Sequence, residues 1–405
     1  MWELIRANQR KSAMLTFMMG IVLLAMGYVI AEYYYSGGGF FGVILAVVIW
    51  LILLLSAFSG GNALLLGVSG AKEVTRHEQP MLYNVVEEIK LAAQLPAMPR
   101  IYVIPTKAMN AFATGRKPEN STVAVTAGLL ATLNRDELQG VIAHEMAHIH
   151  NRDILYMTYA GVMLGAIVLM SELFLRGLWF SGGRRSSRSS SSSGQLGLIL
   201  MVVAIVMAIL APILAQILYF SISRKREYLA DATAVRFTRY PEGLASALAK
   251  LSHSNIPMEK ANKVTAPMYI SAPWIAKGKS FTQLSSTHPP IEKRIQILRS
   301  MGSNASLPEY QSAYKFILKG KGGDLLPESA LKESNFIQAK KGGDVDKAQP
   351  FSDKDKARVA GDIIRSMAGF VFINCACGLK IKVPPDYKGD KITCPRCGTM
   401  QAISH

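Results

Sequence analysis

The chain has 405 residues, half of them hydrophobic, and its mean hydropathy of +0.22 is higher than that of ordinary soluble proteins. The formal net charge of +17 is spread along the chain instead of forming one basic stripe. It therefore argues against a nucleic-acid-binding protein and for lysines and arginines beside a membrane surface. All four cysteines come after residue 374, which excludes a disulfide framework before them and favours a reducing, cytoplasmic location for the soluble parts.

Four long apolar runs explain the high hydropathy. They cover residues 12–31, 40–58, 154–171 and 196–220. Each is close to the ~20 residues that a helix needs to cross the hydrocarbon core of a bilayer. The sequence therefore predicts a multi-pass, mainly α-helical membrane protein with four transmembrane or membrane-embedded helices.

Basic residues around these runs predict the orientation of the chain. Arg6, Arg10 and Lys11 precede the first run, whereas the turn at 32–39 has no lysine or arginine. By the positive-inside rule the N-terminus is cytoplasmic, and two crossings return the chain to the cytoplasm. Four arginines lie at 176–195, between the third and fourth runs, which breaks the rule if both runs cross. Whether these two runs cross or only dip into the membrane stays open.

A globular composition begins at residue 71 and lasts until the third apolar run. The β-branched stretches at 100–104 and 121–126 predict two strands. An extended segment at 110–115 lies between them. If it forms an exposed edge strand, it can bind a peptide through main-chain hydrogen bonds; an ordinary loop is the alternative.

An H-E-x-x-H motif follows in a segment with helical spacing. Residues four apart lie on one face of a helix, so His144 and His148 can bind one metal ion, and Glu145 beside them can act as a base on water. Asn134 and Glu137 form a capping-box pattern at the start of this helix, so the helix is predicted independently of the motif. The pattern indicates a zinc protease.

The segment after His148 contains no proline or glycine before the third apolar run, so the helix is expected to continue into the membrane. An even number of later crossings would return the chain to the same side before Glu227. Because a catalytic zinc needs three protein ligands, Glu227 is the expected third one; a solvated surface pair is the alternative. Asp231, four residues on, can accept the free N–H of a zinc-bound histidine.

A second candidate catalytic histidine is His288, which is followed by Pro289 and Pro290. The two prolines fix the backbone beside it. A histidine held in this way can stabilise the oxyanion that forms when water attacks a carbonyl; a structural role in a loop is the alternative.

Three motifs occur in order within residues 1–300. They are His-Glu-Met-Ala-His with Asn151 and Asp153 after it, Ser-Arg-Lys-Arg-Glu-Tyr-Leu-Ala-Asp-Ala, and Thr-His-Pro-Pro. Together they resemble the HtpX family of bacterial membrane metalloproteases, which are related to the CAAX prenyl proteases and belong to the gluzincin group.

The resemblance implies an α+β gluzincin-type protease domain on the cytoplasmic side of the inner membrane. It implies an endopeptidase that hydrolyses damaged or misassembled membrane proteins. The implied roles are zinc ligation by His144, His148 and Glu227, base catalysis by Glu145, transition-state stabilisation by His288, support of the ligands by Asp231 and Asn151, and binding of the substrate backbone by Asn110 and Ala111.

The C-terminal part departs from this family. Residues 301–369 are rich in lysine, glycine, aspartate and serine and are expected to form a flexible linker with short helices. Residues 370–405 resemble a zinc ribbon, because a C-x-C-G and a C-x-x-C-G motif can close a tetrahedral zinc site. The cysteines are Cys375, Cys377, Cys394 and Cys397. They predict a second, structural zinc; disulfides are the alternative.

The expected organisation has four parts. These are two transmembrane helices at 1–60, a protease domain at 61–300 interrupted by a membrane hairpin at 154–220, the linker, and the ribbon. The expected partners are membrane-protein or unfolded polypeptide substrates, the lipid bilayer and a protein bound by the ribbon. A narrow-specificity CAAX-like processing protease and a non-catalytic zinc-binding membrane adaptor are the alternative functions.

Overall fold

The computed structural model describes most of the chain. The described residues are 2–59, 66–115, 117–181, 193–254, 256–258, 269–270, 289–302, 304–320, 323–326, 328–332, 337–340 and 352–403.

Four long helices carry the apolar runs: α1 (Trp2–Tyr34), α2 (Gly39–Ser59), α6 (Ile154–Ser181) and α7 (Ser193–Thr238). Three of them contain a stretch long and apolar enough to cross a membrane, while the described apolar stretch of α2 is shorter. Helix α1 packs against the other three. It approaches α2 closely because both carry glycine there: a Cβ added to Gly42 would lie 2.1 Å from the carbonyl oxygen of Gly27.

The globular part contains a four-stranded sheet. Its strands are β1 (Lys72–Glu73), β2 (Arg100–Ile104), β3 (Ala111–Gly115) and β4 (Ser121–Thr126). The order is β1-β2-β4-β3, with β2 parallel to β4 and β3 antiparallel to it. The two strands predicted from β-branched residues are confirmed, and the segment between them is an edge strand of the sheet.

Four helices share a hydrophobic core with one face of this sheet. They are α3 (Pro80–Ala92), α4 (Ala127–Thr132), α5 (Arg135–His150) and α8 (Pro241–His253). The capping box that starts α5 is confirmed: Glu137 N–H donates to Asn134 Oδ1 at 2.9 Å, and Asn134 N–H donates to Glu137 Oε2 at 2.9 Å. Two N–H groups at the start of the helix, which have no carbonyl partner within it, thereby gain hydrogen-bond acceptors.

The expected continuation of α5 into the membrane is wrong. Helix α5 ends at His150, and α6 begins only at Ile154. Between them Arg152 has a φ of 59°, in the left-handed region, and Asp153 N–H donates to the carbonyl of His148. The turn forms without proline or glycine because the hydrogen bond from Asp153 N–H to the carbonyl of His148 stabilises it. It directs the side chain of Asp153 back towards His148.

The C-terminal part contains more packed structure than a flexible linker would. Its elements are α9 (Ile291–Ser300), α10 (Leu307–Ile317), α11 (Glu328–Lys332), α12 (Asp353–Met367), β5 (Val371–Asn374), β6 (Lys380–Val383), β7 (Lys391–Thr393) and β8 (Met400–Ala402). Helix α10 buries Leu307, Tyr310 and Tyr314 in the main core, and α12 packs against α4. Aromatic side chains at helical spacing explain why part of 301–369 folds onto the protease part.

Candidate active site

Three side chains from two helices meet in the interior of the globular part. His144 and His148 come from α5 and Glu227 comes from α7, and each is at most 3% exposed. His144 Nε2 lies 3.5 Å from Glu227 Oε2, and His148 Nε2 lies 3.4 Å from Glu227 Oε1. Ligand atoms about 2.1 Å from one tetrahedral zinc lie about 3.4 Å apart. The three residues therefore fit a zinc ion.

Two carboxylates fix the orientation of these histidines. Asp231 Oδ1 lies 2.9 Å from His144 Nδ1, as expected from the sequence, and Asp153 Oδ2 lies 3.4 Å from His148 Nδ1. With each Nδ1 facing a carboxylate, both Nε2 atoms are turned towards Glu227, which is the arrangement of metal-binding histidines. The role of Asp153 was not foreseen, because it depends on the turn after α5.

A buried arginine holds the acidic side of the site together. Arg294 of α9 is 1% exposed and donates to both oxygens of Asp231, at 2.8 and 2.6 Å. Its Nη1 also lies 3.5 Å from Glu227 Oε2. Sequence reasoning missed Arg294, although there was a signal: it lies three residues after Ile291 and four before Leu298, on the apolar stripe of α9.

The carboxylates make positive charge favourable at both histidines. Burial lowers the pKa of His148, but hydrogen bonds with Asp153 and Glu227 outweigh burial and raise that pKa to about 10. Burial and the charge of Arg294 lower the pKa of His144, but Asp231 and Glu227 outweigh them, so that this pKa is raised. Burial raises the pKa of Asp231, but Arg294 and His144 together outweigh burial and lower that pKa. A divalent cation can supply the same positive charge in place of protons.

The remaining expected site residues lie around this cluster. Glu145 follows His144 in α5 and is 2% exposed. Asn151 Nδ2 donates to Thr233 Oγ1 at 3.5 Å, so it joins the end of α5 to α7. His288 lies outside the described residues.

Asn110 and Ala111 lie at the edge of the sheet, and both are buried. Asn110 immediately precedes β3, and Ala111 is its first residue. Strand β3 contacts α5, which carries the two histidines. The sheet thus places the edge strand next to the helix of the candidate active site.

A second cluster of possible metal ligands lies in the C-terminal hairpins. The four cysteines form no disulfide; Cys375 Sγ lies 3.4 Å from Cys397 Sγ, and Cys377 Sγ lies 3.6 Å from Cys394 Sγ. Sulfurs about 2.3 Å from a tetrahedral zinc lie about 3.8 Å apart, so the thiols fit zinc. Gly378 and Gly398 have φ values of 80° and 73°, which explains the glycine after each cysteine pair.

Comparison with known proteins agrees with this geometry. The model of peptidase family M48 matches residues 76–302, more than half of the chain. The chain is 44% identical over 301 residues to a "Protease HtpX homolog" of Dictyoglomus turgidum, covering 74% of this chain and 95% of that protein. It is 46% identical over 241 residues to a "Protease HtpX homolog" of Syntrophobacter fumaroxidans, covering 59% of this chain and 82% of that protein.

A solved structure, that of S. mikatae Ste24p, is 19% identical and covers 73% of this chain and 66% of that one. Its TM-score of 0.37 is below the level at which two folds can be equated. The family match and the sequence relatives establish the family of this chain without that structure. The chain belongs to peptidase family M48, and it is a membrane zinc protease.

Proposed function

We propose that His144, His148 and Glu227 hold the catalytic zinc and that Glu145 is the general base of an endopeptidase. The observation that carries this proposal is the orientation of the two histidines. Each Nδ1 faces a carboxylate and each Nε2 lies 3.4 or 3.5 Å from an oxygen of Glu227. Three donors from the protein leave the fourth tetrahedral position open, as catalytic zinc sites require.

Zinc bound there would lower the pKa of water and polarise a peptide carbonyl. Glu145 takes the proton from the attacking water and passes it to the nitrogen of the leaving amine, so no net proton is lost. Arg294 and Asp231 keep His144 in position throughout. His288 is proposed as a stabiliser of the developing oxyanion.

Asn110 and Ala111 are proposed to lie against the substrate backbone, at the start of β3. The support is that β3 is an edge strand beside α5. A peptide that joins an edge strand is held by main-chain hydrogen bonds, which do not depend on its side chains. This mode of binding suits a protease that acts on many damaged or misassembled membrane proteins.

The protease is proposed to work on the cytoplasmic side of the inner membrane. Arg6, Arg10 and Lys11 lie in the first part of α1, before its apolar stretch, and the turn after α1 has no lysine or arginine, which supports this orientation. Helix α2 is proposed as a fourth span, since it runs for 21 residues from Gly39 to Ser59 without a charged residue. A CAAX-like processing enzyme and a non-catalytic adaptor are not favoured by the relatives.

The C-terminal hairpins are proposed to form a zinc ribbon attached to the protease by α12. Asp362 of α12 pairs with Lys380 Nζ at 3.2 Å and Lys382 Nζ at 2.6 Å, both on β6. At the end of the helix, the carbonyl of Met367 accepts from Lys72 Nζ at 2.7 Å. The ribbon is therefore held near the protease part, where it can bind a protein partner or capture substrates.

The first test is zinc content and casein cleavage by the detergent-purified chain. Wild type is expected to bind about two zinc ions and to cleave casein. Glu145→Gln should keep both zinc ions and cleave about 10³-fold more slowly, because the base is lost. Glu227→Ala should lose one zinc and all cleavage. The matched control is Cys397→Ser, which should lose the other zinc but still cleave casein.

Each outcome bears on one part of the proposal. Full zinc content in Glu227→Ala would remove Glu227 from the ligand set. Full zinc content in Cys397→Ser would contradict the ribbon site. A wild-type chain that binds zinc but cleaves no casein would favour a narrow-specificity enzyme or an adaptor.

A further inference from the structure

The edge of β3 that should receive a substrate has a simple geometry. In an antiparallel pair, alternate residues direct their main-chain N–H and C=O towards the partner strand. The carbonyl of Asn110 accepts from Thr126 N–H of β4 at 3.0 Å, so Asn110 faces β4. The next residue, Ala111, therefore directs its main-chain groups away from the sheet, where an added peptide would pair.

Both outward groups of Ala111 are already occupied. Its N–H donates to Asn110 Oδ1 at 3.1 Å. Its carbonyl accepts from the N–H of Ile270 at 3.0 Å. A peptide could form neither hydrogen bond without replacing these partners.

The side chains of Tyr269 and Ile270 also lie as those of an added strand would. The Tyr269 ring packs edge-on against the Phe112 ring, with centroids 5.4 Å apart and planes at 86°. Ile270 belongs to the core cluster on the other face, together with Ala111 and Ala113. Adjacent residues on opposite faces are characteristic of a β-strand. The pair is buried, with Tyr269 fully covered and Ile270 2% exposed.

We propose that Tyr269 and Ile270 occupy the position of a bound peptide on β3 and keep the protease inhibited until a substrate displaces them. The proposal rests on the proposed function, because it requires β3 to be the strand that substrates join. It adds a condition on the substrate. Displacement uncovers a tyrosine and an isoleucine, so an extended peptide with apolar side chains, which refills their places, is favoured over a polar one.

The backbone part of this contact is suited to displacement because it is small, and the apolar side chains of a substrate can replace the packing of Tyr269 and Ile270. One backbone hydrogen bond joins Ile270 to β3 among the described residues, whereas β3 and β4 are paired along five residues. A single such bond contributes little net stability, because the freed groups regain partners in water or in the substrate. A peptide that adds several hydrogen bonds along β3 can therefore replace it.

The first experiment compares Ile270→Pro with Ile270→Ala and wild type on a short apolar fluorogenic peptide. Both variants shorten the side chain, but only proline removes the N–H that binds Ala111. Ile270→Pro is expected to show a KM roughly three- to tenfold below that of Ile270→Ala, with kcat unchanged, because the occluded state loses its hydrogen bond. A KM equal to or above that of Ile270→Ala would overturn the proposal.

The second experiment uses wild type alone, so it does not depend on the folding of a variant. A peptide hydroxamate with the sequence of the fluorogenic substrate is added, and amide hydrogen exchange at Ile270 is followed. Exchange should accelerate when the hydroxamate binds; continued protection at full occupancy would overturn the proposal. If the proposed function itself is wrong, neither wild type nor either variant cleaves the peptide. If only the occlusion by Tyr269 and Ile270 is wrong, all three proteins cleave it with the same KM.

Discussion

Arg294 shows how one residue supports the acidic part of the site. Its guanidinium is buried, binds Asp231 through two hydrogen bonds and approaches Glu227. Two carboxylates this close repel each other in an interior of low dielectric, and a buried cation offsets that repulsion. The arginine is therefore as much a part of the site as the carboxylates that it contacts.

Replacing this arginine should destabilise the protein strongly. Arg294→Met leaves Asp231 buried without its cation, which costs about 3–5 kcal/mol of unfolding free energy. Arg299→Met, in the same helix, is the matched control, because Arg299 pairs with Glu242 at 3.0 Å and both side chains are about half exposed. That exposed pair should contribute at most about 1 kcal/mol.

The measurement is urea-induced unfolding in detergent, followed by circular dichroism. Equal losses in the two variants would show that burial does not distinguish the two arginines. It would also contradict the account of Arg294 as the cation that balances Asp231.

At the scale of elements, α5 depends on a close approach to α8. Gly140 lies on α5 at this contact, and a Cβ added there would lie 2.6 Å from the backbone nitrogen of Leu244. Leu244 belongs to α8, so the obstacle is backbone and cannot rotate away. The position of α5, and with it of His144 and His148, therefore depends on this glycine.

Gly140→Ala is expected to lower the free energy of unfolding by about 1–3 kcal/mol, because α8 must move away from α5. The control is Gly67→Ala, where the added Cβ meets nothing within 4 Å. The same unfolding assay, with zinc content as a second reading, checks both variants. A loss in Gly140→Ala no larger than in the control would mean that the two helices adjust freely.

Local sequence patterns were sufficient to predict the helices and strands. Features that depend on contacts between distant residues could not be predicted from the sequence. Asn134 and Glu137 are three residues apart, so the start of α5 could be read from the sequence. The end of α5 could not, because the turn depends on Asp153 folding back on His148. Arg294 was missed for a similar reason: its partner Asp231 is 63 residues away, and only the folded chain brings them together.

At the scale of the whole molecule, α7 joins the membrane part to the metal ligands without a break. The helix runs from Ser193 to Thr238 and includes the apolar stretch Leu198–Ile217, followed by Glu227 and Asp231. A continuous helix transmits position along its axis. The height of Glu227 above the end of the apolar stretch is therefore fixed by the number of residues between them.

Because α7 is continuous, its length sets the distance of Glu227 from the membrane surface. The ten residues from Ile217 to Glu227 correspond to at most about 15 Å along the helix axis. An extended chain covers about 3.3 Å per residue, so a membrane-anchored substrate needs about five residues outside the bilayer to reach Glu227. We expect single-span substrates with shorter spacers to escape cleavage, and mass spectrometry of the products from a spacer series would show this threshold. If no threshold appears, substrates are lifted out of the bilayer before they are cut; if it does, the length of α7 between Ile217 and Glu227 decides which bonds are within reach.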